Sequence, residues 1–157
     1  MHPLMNIQTL TEFVAESNRI EGILRPPTEA EIKEASWFSA MEVVSIRMLV
    51  QFVSIYQPGA KLRDQFGLDV RVGRHIAPRG GPNITVTLNT ILAGANTGSI
   101  SPLYAHECYE HLHPFTDCNG RSGRMLWLWH MLKEGCYPKL GFLHHWYYQT
   151  LDAFHAR

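Results

Sequence analysis

A chain of 157 residues with 45% apolar and 18% charged residues has the size of one ordinary globular domain and is too apolar for intrinsic disorder. Fourteen Lys and Arg balance fourteen Asp and Glu, so no net charge points to nucleic acid or an acidic membrane as a general partner. Cys108, Cys118 and Cys136 form an odd set without a C-x-x-C pair, which argues against a disulfide framework and suits a reducing compartment.

The start, Met1-His2-Pro3-Leu4, lacks the basic and apolar run of a signal peptide. The longest apolar stretch, Met125 to Trp129, is far shorter than a membrane span. The expectation is a cytoplasmic protein with no membrane partner, specialised secretion staying open.

The first helix signal is Thr9-Leu10-Thr11-Glu12, a capping box that opens a helix to about Glu21, with Gly22 as its left-handed stop. Pro26-Pro27 blocks continuation, and Thr28-x-x-Glu31 is a second capping box. Behind it Ile32, Ala35, Phe38, Met41, Ser45, Met48, Phe52 and Ile55 recur at helical spacing, which predicts one long helix ending at Pro58-Gly59. Val70 to Ile76 and Ile84 to Leu88 have strand composition around a turn-rich loop, Ala77 to Asn83, so residues 70–88 read as a β-hairpin. Ser101-Pro102 starts a helix ending near His111. A tight loop from His113 to Gly120 then leads into a helix from about Arg121 to Glu134, stopped by Gly135. The expected fold class is mainly α, a compact helical bundle in a single domain over residues 1–157 with a small hairpin flap. The closing stretch, with His144, His145, Trp146, Tyr147 and Tyr148, reads as packing or as part of an adenine pocket.

The chemistry concentrates in His113-Pro114-Phe115-Thr116-Asp117-Cys118-Asn119-Gly120-Arg121-Ser122-Gly123-Arg124. A glycine-bearing loop entering a helix aims free amides and the positive end of the helix dipole at one spot, which suits phosphate oxygens. Arg121 and Arg124, three residues apart on the first turn, share a face and could clamp a polyphosphate. Asp117 is a hard oxygen ligand of the kind Mg²⁺ takes beside phosphates, and His113 can serve as a general base near neutral pH. Any one of these residues alone is more often structural; a base, an acid, an amide nest and two arginines within twelve residues is not what a plain connecting loop requires.

This segment resembles the signature of the Fic family, H-P-F-x-[DE]-G-N-G-R-x-x-R, at every specified position except Cys118, where the family has glycine. The resemblance implies a helical bundle built round the motif loop and the transfer of AMP from ATP to a hydroxyl of a target protein. It implies His113 as base and Asp117 as the Mg²⁺ ligand. Asn119, Gly120 and Arg121 would form the hole for the α- and β-phosphates, with Cys118 lining the same loop, and Arg124 would hold the γ-phosphate. Phe115 would be a buried support of the loop. Ser17-Asn18-Arg19-Ile20-Glu21-Gly22 is similar to the family's inhibitory pattern, [ST]-x-x-x-E-[GN], here at residues 9–22 of the same chain. Ser17 and Glu21 face the same way, and by the resemblance Glu21 would pair with Arg124. The hairpin would dock the target segment, through Gly73, Arg74, His75, Ile76 and Ile84, by adding a strand to its edge. ATP and a protein target are the implied partners, and a homo-oligomer is compatible with the pattern.

Cys118 keeps two alternatives open: transfer of another phosphate-containing group, or a degenerate module that only binds nucleotide or a partner. A side chain restricts that position if it takes a positive φ. A zinc site on His106 and His111 is disfavoured, because five residues along a helix separate two side chains by about 140°. A Cys118 nucleophile beside His113 would leave Asn119 and the arginines without a role.

Overall fold

The computed structural model describes residues 5–136. The aromatic stretch from His144 to Tyr148 lies outside the described residues. Six helices and one two-stranded antiparallel hairpin make up the described fold, which is mainly α: α1 Ile7–Ile20, α2 Glu29–Ala40, α3 Ile46–Tyr56, β1 Arg71–Val72, β2 His75–Ile76, α4 Pro82–Thr97, α5 Pro102–Leu112 and α6 Asn119–Lys133. None of the described helices is long and apolar enough to cross a membrane.

Helix α6 runs through the middle, packed on α1, α2, α3 and α5. It is buried nearly all round, its polar first turn by partners on neighbouring helices and its later turns through Met125, Leu126, Leu128, Trp129 and Leu132, as befits the central helix of a bundle. Helices α1, α2 and α3 supply Leu10, Phe13, Phe38, Leu49 and Phe52 to the same core.

Helix α1 begins earlier than the Thr9 capping box implies. Asn6 is the cap, its side chain accepting from the Gln8 amide at 2.7 Å, so Thr9 lies inside the first turn. Its C-terminus closes as a Schellman motif: Ile23 N–H bonds the Asn18 carbonyl at 3.0 Å, Gly22 N–H bonds that of Arg19 at 2.9 Å, and Gly22 takes φ 78°. Glu21 is thereby held as the last residue before the chain turns away. The Thr28–Glu31 capping box forms as expected. Its Glu31 carboxylate also accepts from Asn18 of α1 and from Arg25, which ties α1 to α2.

The long helix expected from Ile32 to Ile55 is two helices. Ser45, counted there as a position on a helix face, is instead the N-cap of α3, accepting from the Met48 amide. The freed backbone between α2 and α3 is satisfied from a distance. Asn96 bonds both the Val44 N–H and C=O at 2.9 Å, and Trp129 donates to the Met41 carbonyl at 2.7 Å.

The hairpin is shorter than residues 70–88. Arg71 pairs with Ile76 and Val72 with His75, around Gly73 at φ 57° in the first turn position, the place glycine takes in a type II′ hairpin. The expected second strand, Ile84 to Leu88, is the start of α4 instead. Pro82 follows the Gly81 cap at the first helical position. Ile84, Leu88, Ile91, Leu92 and Ala95 then enter the core at helical spacing, so the β-branched composition yields to tertiary burial. Ile84 is therefore a core residue, 1% exposed, and not part of the docking flap.

Candidate active site

The motif loop joins α5 to α6 and is held from several sides. His113 closes α5 in the left-handed region, φ 48°. Its Nδ1 meets the carbonyl of Glu110. A carbonyl only accepts, so Nδ1 carries the proton and Nε2 is the basic nitrogen of the neutral ring. Leu62 and Phe115 form an antiparallel bridge. On either side of it the Arg63 amide donates to the Pro114 carbonyl and the Thr116 amide to that of Lys61, both at 2.8 Å. Phe115 is fully buried. Asn119 uses both ends of its side chain on the Phe115 backbone, accepting from the N–H at 2.9 Å and donating to the C=O at 2.8 Å. Its side chain thus shapes the loop, and its backbone amide is what it offers an anion.

Arg63 gives the sequence reader no motif and yet organises this region. Its fully buried guanidinium donates to the carbonyls of Leu112 at 2.7 Å, His113 at 2.5 Å, Pro78 at 2.8 Å and Leu68 at 3.0 Å. One side chain thus fastens the end of α5, the backbone of His113 and both feet of the hairpin segment.

Helix α6 starts at Cys118 with no side-chain cap, so the amides of its first turn are presented to an anion rather than satisfied by a capping oxygen. The two arginines of that turn diverge. Arg121 donates to the Tyr56 carbonyl at 3.0 Å and to Gln57 Oε1 at 2.7 Å, gripping the end of α3. Arg124 turns to α1: Nε donates to Ser17 Oγ at 2.8 Å, and an Nη donates to the Ser17 carbonyl at 2.9 Å and to Glu21 Oε1 at 2.6 Å. The Arg124 side chain is 1% exposed and that of Glu21 39%. Gly120 makes room for this pair, since a Cβ there would stand against Glu21 Oε1 and 2.9 Å from an Arg124 nitrogen. The Glu21 carboxylate therefore sits at the N-terminus of α6, where the helix dipole and free amides favour negative charge.

These groups line one cleft of about 740 Å³. Glu21 and Ile23 line it from the end of α1, Gln57 from the end of α3, Val70 to Val72 from the hairpin segment, and His113 with Thr116 to Arg121 from the motif loop and the start of α6. Asp117 is exposed at its mouth, one oxygen accepting the Cys118 amide at 2.6 Å. Glu110, which the sequence pattern did not single out, also lines the cleft, buried against Gly123. Of the flap residues, His75 is the half-buried one; its Nε2 contacts the His111 carbonyl at 2.8 Å, and its ring lies 5.7 Å from that of His113. Gly73, Arg74 and Ile76 are exposed. His106 points elsewhere than His111, its Nδ1 meeting the Gly123 carbonyl, and burial pushes its pKa down to about 3.

Cys118 adopts φ 68°, ψ 17°, the left-handed conformation, so the Cβ restriction anticipated for this position applies. Burial pushes its thiol up to about 12, which keeps it protonated at neutral pH and unsuited to nucleophilic attack. Left-handed backbone costs a non-glycine residue roughly 1–2 kcal/mol. Cys118→Gly is expected to relieve that cost, offset in part by the lost sulfur contacts, and to raise Tm by about 3 °C, the shift that about 1 kcal/mol gives a chain of this size. Cys118→Ala keeps the strain and loses the sulfur, so it is expected to lower Tm. Thermal unfolding of the pair checks this, and a glycine variant less stable than the alanine variant would refute it.

Comparison with protein-family models and with curated proteins gives no match.

Proposed function

We propose that the chain is a Fic-type protein adenylyltransferase, moving AMP from ATP to a hydroxyl of a target protein and restrained by its own first helix. The observation that carries the reading is the engagement of Arg124 by Glu21 and Ser17 across more than a hundred residues, at the uncapped start of α6. A buried arginine held by a partly exposed carboxylate, over an amide nest and beside a histidine, is what a phosphate site with a built-in competitor requires.

In the reaction so assigned, His113 Nε2 takes the proton of the target hydroxyl. The hydroxyl oxygen bonds the α-phosphorus, the bond to the bridging oxygen breaks, and pyrophosphate leaves. The amides of the first turn of α6 hold the α- and β-phosphate oxygens. Arg124, once released from Glu21, takes the γ-phosphate. Asp117 fits a Mg²⁺ ion, which accepts few protein carboxylates when phosphates supply the other oxygens; bound there, the ion would neutralise phosphate charge. Cys118 takes the left-handed backbone that glycine would take at this position, so the cysteine leaves the path of the loop compatible with this reading.

The test is release of the restraint. A charge-assisted hydrogen bond is worth roughly 1.5–3 kcal/mol, which is about ten- to a hundredfold in productively bound nucleotide. The 39% exposure of Glu21 places the expectation toward the lower end. With ATP labelled on the α-phosphate, the parent is expected to label itself faintly and Glu21→Gly at least about tenfold more. Glu21→Gln, which keeps shape and helix propensity, should share most of the gain. Glu21→Gly with Arg124→Ala should be poor again. Equal labelling of parent and Glu21→Gly would remove the restraint, and absence of label on every variant would remove the transferase.

A further inference from the structure

The distribution of charge on the hairpin says what kind of segment it takes. The chain balances its charges overall, yet between Val70 and His106 it carries Arg71, Arg74 and Arg79 and not one Asp or Glu. Arg71 and Arg74 are exposed. Arg71 lies on β1 and in the wall of the cleft, its Nε donating to the Gly73 carbonyl at 2.9 Å, and Arg74 stands at the hairpin tip. The nearest preceding carboxylate, Asp69, accepts from the Gly80 amide at 2.9 Å and keeps its charge, and the carboxylates lining the cleft, Glu21, Glu110 and Asp117, belong to the end of α1, to α5 and to the motif loop rather than to the hairpin. The two edges of the hairpin also differ. On the β2 side His75 turns to the carbonyl of His111 in α5, whereas Val70, Arg71 and Val72 of the β1 side face the cleft that holds His113. The edge β1 is thus the one an added strand can use while reaching the base, and it carries Arg71 between two valines, with Arg74 at its end.

We infer that the hairpin docks an extended, acidic protein segment along β1, its carboxylates meeting Arg71 and Arg74 beside the acceptor hydroxyl. Main-chain bonds to the strand edge supply register, and the arginines supply selection among segments and faster encounter. The arginines serve a second purpose in the same geometry: an acidic segment approaching bound nucleotide meets repulsion from the phosphates, and the two guanidiniums offset it on the side away from α6. The transfer step after docking rests on the transferase reading, whereas the docking itself can be measured without nucleotide.

The probe is a set of fluorescent twelve-residue peptides with one central tyrosine or threonine, flanked by glutamate, alanine or lysine, titrated into the Glu21→Gly protein without ATP. Two exposed ion pairs give roughly three- to tenfold preference for the glutamate peptide over the alanine one at low salt, shrinking as salt is added. Arg71→Ala with Arg74→Ala should erase the preference while Tm stays at the parent value, since both side chains are exposed. Arg71→Glu with Arg74→Glu should shift preference to the lysine peptide. Equal affinity for glutamate and alanine peptides, or a preference unmoved by the arginine changes, overturns the inference. So does a single-stranded oligonucleotide that displaces the glutamate peptide at lower concentration than the peptide itself binds. Selective binding without AMP transfer once ATP and Mg²⁺ are added would leave the docking surface standing and count against the transferase alone.

Discussion

In the released Glu21→Gly background, His113→Ala is expected to slow transfer by about two to four orders of magnitude, the usual cost of losing a general base, with ATP affinity unchanged. The separation of the two effects comes from the geometry. His113 Nδ1 meets the Glu110 carbonyl, whereas the proposed phosphate contacts come from the first turn of α6 and from Arg124. Because His113 holds φ 48°, alanine also introduces left-handed strain. His113→Asn is the companion variant: asparagine tolerates that conformation and can donate to the same carbonyl, but offers no basic nitrogen. Both should bind ATP like the background protein and both should fail to transfer. Transfer within tenfold of the background by either folded variant would mean that another group takes the proton.

The second large effect is on stability. Arg63→Met keeps the aliphatic volume of the side chain and removes every donor from the carbonyls of Leu112, His113, Leu68 and Pro78. A buried acceptor left without a partner costs about 1–3 kcal/mol. With water reaching some of the four, the expected loss is about 4 kcal/mol, a fall in Tm of about 12 °C for a chain of this size. Arg63→Lys, which can serve one or two of the carbonyls, should fall between. Denaturant and thermal unfolding read the effect directly, and a methionine variant within about 3 °C of the parent would show that the carbonyls find water at little cost. Burial lowers the pKa of Arg63 below the usual arginine range. The residue tolerates that desolvation because each bond it makes is to a carbonyl at a chain turn, where helix and sheet supply no donor.

Much of this protein is legible in its sequence. Helix ends written in capping chemistry, Thr28–Glu31, Ser101-Pro102 and Gly22, appear where their residues place them, because a cap is satisfied by neighbours within four positions. The motif loop and the four-residue step from Ser17 to Glu21 are equally visible, being short runs with fixed spacing. Thr9 lost the start of α1 to Asn6, a competing cap three residues earlier, whereas the two larger misreadings have a tertiary cause. Ser45 fits a helix face as well as it fits an N-cap, and only Asn96 and Trp129, satisfying the backbone between Met41 and Val44, make the break stable. Ile84 to Leu88 carries strand composition, and only burial on one face of α4 makes it helical.

By itself, then, the sequence determined the mainly helical class, the caps at Gly22, Thr28 and Ser101 and the residues of the motif loop, since each of these is decided by groups close together along the chain. The tertiary structure alone decided that Arg121 turns to α3, away from Arg124, that Arg63 fastens the hairpin to His113, and that β1 rather than β2 faces the cleft. A guanidinium can reach a carbonyl or carboxylate in several directions from one backbone position. Which one it takes is settled by what the fold carries there from dozens of residues away, and periodicity along the chain holds no record of that.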